Sequence, residues 1–151
     1  MIDVNVLVYA HREEMEQHSL CKKWLEDALK HPTGIGLTDL VLSGFLRIVT
    51  HPRVFRIPTP FPIALHFVRV LREHPQTRII QAGSRHWSIF THLCEAAKCK
   101  GNTIPDAFLC ALAIEQGCEW ITTDRGFARF PGLHWSEPRE GNPESDHGLH
   151  G

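Results

Sequence analysis

Two rhythms of apolar residues run along this chain. Short, nearly continuous apolar runs open it at "MIDVNVLVYA" and recur in "IGLT", "TRIIQA", "EWITTD" and "LHW", as buried strands do. Between them, apolar residues return every three or four positions, the spacing of one helix face. After the opening strand, Asn5 is placed to cap a short helix from Val6 to about Glu13. A second helix carries Leu20, Trp24, Leu25, Ala28 and Leu29 until "HPTG" ends it. Asp39, directly after "IGLT", is placed to cap a third, with Leu42, Phe45, Leu46 and Val49 on its apolar face and "THP" as its stop. In "RVFRIPTPFP" the prolines at 58, 60 and 62 predict an irregular connection into a helix over 63–74, striped by Phe67, Val68 and Leu71. "SRHWSIFTHLCEAAKCKG" reads as a helix with Ser84 as cap and Gly101 as stop. "NTIPDAFLCALAIEQG" reads as another, begun near Pro105, ended by Gly117, with Phe108, Leu109, Leu112 and Ala113 facing inward. "RGFARFPG" is a loop, and "LHW" an edge strand. Strands alternating with helices imply right-handed crossovers and a three-layer α/β/α fold around a central, mostly parallel sheet.

Composition bounds this picture more than it alters it. With 151 residues, 42% hydrophobic and 22% charged, the chain supports one domain, over 1–138, and the Gly-rich polar stretch 139–151 is expected to be a disordered tail. No apolar run approaches the ~20 residues a bilayer requires, and no basic n-region and long h-region mark a signal peptide. A cytoplasmic protein without membrane contact is the expectation. Five cysteines, without a CxxC pair, read as reduced, half-buried small hydrophobes. The spacing of His92, Cys94 and Cys99 matches no zinc finger or ribbon. A net charge of −1 supplies no global basic field, so any nucleic-acid contact must be local.

The candidate chemistry starts with a misfit. Asp3 sits among Ile2, Val4, Val6 and Leu7, where a carboxylate costs several kcal/mol unless it is paired, hydrogen-bonded or bound to a cation. In a parallel α/β sheet, functional groups collect where strands end and helices begin. Asp3, Asp39, Asp106 and Asp124 all occupy such positions. Asp39 and Asp106 also suit ordinary helix caps, and Asp124 suits a turn. As a cluster, four carboxylates repel one another unless a hard divalent cation supplies counter-charge. Mg²⁺ or Mn²⁺ there would activate water against a phosphoryl group, which points to metal-dependent phosphodiester hydrolysis.

At these residues the chain resembles the PIN-domain proteins, specifically VapC-type toxin ribonucleases of bacterial toxin–antitoxin pairs. The resemblance runs from Met1 to about Pro138 and is carried by "DVNVLVYA", "SGFLRIVTHPRVF" with the following "PTP", "RHWSIF", "GNTIPDAFLCALAIEQG" and "ITTDRGFARFPGLHW". It implies an acidic cluster binding Mg²⁺ or Mn²⁺, endonucleolytic cleavage of structured RNA such as tRNA or rRNA, a homodimer, and a VapB-type antitoxin that occludes the site. Asp3 matches the family's first acid, Asp106 the third and Asp124 the fourth, and these three are the metal ligands the resemblance implies. Asn5 and Thr122 match its supporting polar residues. The sequence departs from the pattern twice. Gly44 fills the slot of the second acid, for which Asp39 is the nearest substitute, and Gly126 stands where another aspartate is common.

For RNA phosphates, Arg125 and Arg129 flank the last acid and are the best placed cations, ahead of Arg47, Arg53 and Arg85. Trp24 and Trp87 offer stacking surfaces, although their helical spacing also suits a core. His86 is a weak candidate for acid chemistry, because metal-bound water needs no histidine base. The proline-rich connection and helix 63–74 offer a groove for an antitoxin segment. Two other readings stand beside this one. An aspartyl-phosphate enzyme needs a lysine after a later strand, and no lysine follows Lys100. A degenerate PIN scaffold that binds RNA or protein without cutting fits Gly44 and Gly126.

Overall fold

Three backbone hydrogen bonds join the two ends of the sheet. Asp3 N–H donates to the Ile121 carbonyl at 2.9 Å, Ile121 N–H to the Met1 carbonyl at 2.8 Å, and Ile2 N–H to the Gly36 carbonyl at 3.2 Å. They are seen in a computed structural model that describes residues 1–140. Strand β1 (Ile35–Leu37) pairs in parallel with β2 (Thr77–Ile79), Ile35 facing Thr77. Strand β3 (Trp120–Ile121) pairs in parallel with β4 (Trp135–Ser136), Trp120 facing Trp135. The opening residues, with Ile2 bridged in parallel to Ile121, lie between the two pairs and give the spatial order β2, β1, residues 1–3, β3, β4.

The helices are α1 (Val4–His11), α2 (His18–Lys30), α3 (Asp39–Val49), α4 (Phe61–Arg72), α5 (His86–Ala96) and α6 (Thr103–Gln116), with a 3-10 turn over Arg125–Arg129. Helix α1 packs on α2 and α3, α3 on α4, and α5 on α6. The core that joins them includes Val6, Leu7, Leu37, Phe45, Leu93, Cys110 and Trp120. This is the expected α/β architecture, a parallel sheet between layers of helices. Among the described residues no helix is long and apolar enough to cross a membrane. The tail expected over 139–151 falls, from residue 141 onward, outside the described residues.

Several helix ends depart from expectation. Helix α1 is capped by Asp3, whose Oδ1 accepts the Val4 N–H at 2.7 Å, and Asn5 lies inside the first turn instead. Helix α3 is capped by Thr38, whose buried Oγ1 accepts the Val41 N–H at 3.0 Å, leaving Asp39 outside the capping position. Pro62 belongs to the first turn of α4, because a proline there lacks only an N–H that the helix would leave unpaired. Helix α5 begins after Ser84, and its entry is closed from α6. The Glu115 carboxylate accepts the Gly83 N–H at 2.7 Å and the Arg85 N–H at 2.9 Å. That helix stops at Ala96, short of Gly101, because Lys98 turns left-handed with φ 51°. Gly117 ends α6 in the left-handed conformation, φ 64°, as its position predicts. His86 is buried, with Nε2 3.0 Å from the Phe108 carbonyl and its ring against Phe108, which is a packing role.

Thr38→Ala orphans a buried helix-start N–H and is expected to lower stability by about 1–2 kcal/mol. Asp39→Ala breaks only a surface pair and is expected to shift stability by less than about 0.5 kcal/mol. Urea unfolding at constant m-value distinguishes the two, and equal losses would contradict the capping assignment.

Candidate active site

Asp3 answers its misfit through a latch between the start of α1 and the end of β3. Its Oδ2 accepts the Thr122 hydroxyl at 2.6 Å and the Asn5 amide at 3.2 Å, while its Oδ1 takes the Val4 N–H. The Thr122 oxygen in turn accepts the Asp124 N–H at 3.0 Å and the Asn5 amide at 3.4 Å. Asn5 Oδ1 completes the ring by accepting the Thr123 N–H at 3.3 Å. With both lone pairs of Thr122 occupied, its hydroxyl proton is directed at Asp3. The latch therefore requires an acceptor at position 3 and fixes the backbone that presents Asp124.

Asp3, Asp106 and Asp124 line one groove of about 1390 Å³. Asp106 comes from the first turn of α6, and Asp124 caps the 3-10 turn, its Oδ1 accepting the Gly126 N–H at 2.8 Å. Burial raises Asp3 from 3.8 to about 6, and the charges of Asp106 and Asp124 add to the rise, while the Thr122 and Val4 hydrogen bonds oppose it. Asp106 is also raised, first by burial and then by Asp124. Asp106 and Asp124 are thus within electrostatic reach of Asp3, and Asp124 within reach of Asp106.

Asp39 does not join them. Its exposed carboxylate pairs with the Arg72 guanidinium at 3.0 and 3.3 Å, away from the groove lining. Starting α3 at Asp39 points the first residue outward, toward α4. The expected substitution of Asp39 for the second acid is thus corrected. The slot itself is tight at its base: a Cβ on Gly44 would stand 3.2 Å from Val4 Cγ2, so Val4 would have to shift by a few tenths of an ångström.

The other departure has a similar reading. A Cβ on Gly126 would come within 2.6 Å of an Arg129 guanidinium nitrogen and 2.9 Å of Asp124 Oδ1. Arg129 is fixed there by its Nε bond to the Gly126 carbonyl at 2.7 Å, and its charge favours the ionised form of Asp106. Arg125 is drawn the other way, into a 2.9 Å pair with Glu137, and neither Arg125 nor Arg129 is among the residues that line the groove. Arg47 and Arg56 do line it, both exposed. Arg56 was not singled out by sequence, since only the fold of the connection after α3 turns it inward. Trp87 is 68% exposed on α5, outside the groove lining.

Among the described residues, no three His, Cys, Asp or Glu side chains form a ready-made ligand set. What converges is carboxylate, and no lysine lines the groove to neutralise it. That donor chemistry fits a hard divalent cation held by one or two carboxylates and otherwise by water, as Mg²⁺ prefers. Asp3, Asp106 and Asp124 are the residues that would hold it.

Comparison with known proteins gives this geometry a family context. A family model described as PIN domain matches residues 1–133. "VapC ribonuclease Mb2897" of Mycobacterium bovis is 42% identical over 140 residues, covering 93% of this chain and 95% of the relative. "Ribonuclease VapC25" of Mycobacterium tuberculosis is 36% identical over 138 residues, covering 91% and 97%. Among solved structures, "VapBC2 from Rickettsia felis bound to a DNA fragment from their promoter" is similar in fold, with TM-score 0.68 at 18% identity, covering 91% of this chain and 96% of that one. "FitAB bound to IR36 DNA fragment" is similar at TM-score 0.61 and 16% identity, covering 91% and 93%.

The raised Asp3 makes the metal-free fold pH-sensitive. The folded protein holds a proton on Asp3 that the unfolded chain releases at lower pH, so this contribution to stability falls as pH rises from about 4 to about 6 and is flat above. In chelator, the stability of the wild type relative to Asp3→Asn is expected to drop by about 2–3 kcal/mol from pH 4 to pH 7. Parallel urea-unfolding profiles for the two proteins would contradict it.

Proposed function

The chain belongs to the PIN domain family, in its VapC branch, and on that premise we propose that it is an endoribonuclease toxin whose acidic groove hydrolyses phosphodiester bonds in structured RNA. The observation that carries this reading is the convergence of Asp3, Asp106 and Asp124 on one groove, where Asp106 and Asp124 both raise the Asp3 pKa. A bound Mg²⁺ or Mn²⁺ supplies an activated water and neutralises charge on the phosphoryl oxygens. Asp3, Asp106 and Asp124 would hold the cation, Asp124 from the residues that follow β3. Thr122 and Asn5 act as positioning residues, because they touch Asp3 and the Asp124 backbone. Arg129, beside Asp106, is placed to meet a scissile phosphate, and Arg47 and Arg56 to meet phosphates further along. The groove suits a single-stranded loop, of the kind found in tRNA or rRNA.

The same groove has an apolar half formed by Leu40, Val54, Ile57 and Ile63, each exposed. An amphipathic segment of a VapB-type antitoxin would cover it and place a basic side chain over the carboxylates, occluding the site. Exposed Val70 and Trp87, outside the groove, are apolar surface that a homodimer would cover. A second reading, RNA binding without cleavage, is favoured by Gly44 in place of an acid.

Purified protein with Mg²⁺ or Mn²⁺ is expected to cut structured RNA, and EDTA to stop it. Asp3→Asn and Asp106→Asn are each expected to reduce the rate at least about 100-fold, whereas Asp39→Ala retains wild-type activity within about twofold. Cleavage that survives EDTA or either substitution would overturn the carboxylate–metal mechanism. RNA bound but uncut by the wild type would favour the second reading. Expression without an antitoxin is expected to arrest bacterial growth, and the Asp3→Asn chain to relieve the arrest.

A further inference from the structure

Helix α5 ends in a turn that brings two cysteines together. Cys99 N–H donates to the Cys94 carbonyl at 2.9 Å and Lys98 N–H to the Glu95 carbonyl at 3.3 Å, with Lys98 at φ 51°. These are the paired bonds and left-handed residue of a Schellman motif, in which the residue after the left-handed one contacts the side chain five positions before it. Those two positions usually carry apolar residues; here they carry Cys94 and Cys99. Lys98 is the only residue other than glycine with positive φ among the described residues, so the turn is held although its side chain disfavours it. The Cys94 thiol is raised first by burial and then by Cys99, and the Cys99 sulfur also faces the Leu93 carbonyl at 4.0 Å. Both are free and half-buried at the surface.

The remaining cysteines are disposed differently. Cys21 and Cys110 are fully buried. The Cys118 sulfur faces Arg78 Nη2 at 3.6 Å and the Gln116 carbonyl at 3.8 Å. Cys99 is flanked in sequence by Lys98 and Lys100, both exposed, so an anionic reagent is drawn to this turn.

The geometry points to a dithiol–disulfide site at Cys94 and Cys99, oxidised by an anionic low-molecular-weight disulfide such as oxidised glutathione. In the first step the deprotonated Cys99 sulfur attacks one sulfur of that disulfide, forming a mixed disulfide and expelling one thiolate. The deprotonated Cys94 sulfur then attacks Cys99, breaking the mixed bond and expelling the second thiolate. The two cysteine protons end on the two expelled thiols. The protein is oxidised by two electrons and the small disulfide reduced by two. The link closes the turn that leads into α6, the helix carrying Asp106. It does not depend on the ribonuclease reading, since no cleavage enters its test.

The full chain, reduced and then incubated with oxidised glutathione, is expected to lose the mass of two hydrogens. Trypsin cuts after Lys98, between the two cysteines, so the expected product is a pair of peptides joined through Cys94 and Cys99 that separates on reduction. Cys94→Ser and Cys99→Ser should each abolish that pair, and Cys118→Ser should leave it. Closure should be slower in urea, where the turn is lost. A persistent mixed disulfide, a link to Cys110 or Cys118 instead, equal rates folded and unfolded, or no reaction would overturn the proposal.

Discussion

The bond from the Thr122 hydroxyl to the Asp3 carboxylate is the interaction on which the rest of the site depends. Thr122 is wholly buried and has no water as an alternative partner, while Asp3 is 7% exposed at the groove wall. The same oxygen of Thr122 receives the Asp124 N–H and the Asn5 amide, which leaves the hydroxyl a single use for its proton. One short contact at 2.6 Å thus ties the opening residues of the chain to the end of β3 and sets where two of the three carboxylates stand. Because Asp3 also caps α1, moving it would displace a helix as well as a charge.

Sequence reading found the elements and most of this site. The "DVN" and "TTD" stretches carry the latch, and "NTIPD" carries Asp106 in a first helical turn, because strand ends and helix starts leave local signatures in type and spacing. What it missed was decided by contacts between distant segments. Thr38 and Asp39 are adjacent, both suit a cap, and only the packing of α3 chooses Thr38 and frees Asp39 for Arg72. Glu115, thirty-odd positions beyond the α5 entry that it caps, has no local signal at all. Arg125 and Arg129 look equivalent beside Asp124, yet Glu137 draws one away and the Gly126 carbonyl holds the other in place.

The two glycines that break the family pattern have different causes. At Gly44 the constraint is close packing, since Val4, the first residue after the Asp3 cap, comes within 3.2 Å of where a Cβ would stand. At Gly126 the space is taken by a guanidinium, so a position that elsewhere carries an acid here abuts a cation. The chain thus presents fewer carboxylates than the family pattern, and one arginine closer to them.

That balance bears on how a polyanion would enter the groove. Three facing carboxylates oppose phosphate, and the burial that raises Asp3 also strengthens each repulsion by lowering the local dielectric. Arg129 offsets part of this at Asp106, and Arg47 and Arg56 act along the groove lining. In the proposed reading a divalent cation cancels the remaining charge, so cation and RNA each make room for the other. Linkage requires that coupling to be reciprocal. A basic side chain of an antitoxin placed over the same carboxylates would satisfy them as the cation does, without water to activate. Occlusion and catalysis then compete for one set of charges, which is why a chain with almost no net charge can still select a strongly charged ligand at this groove.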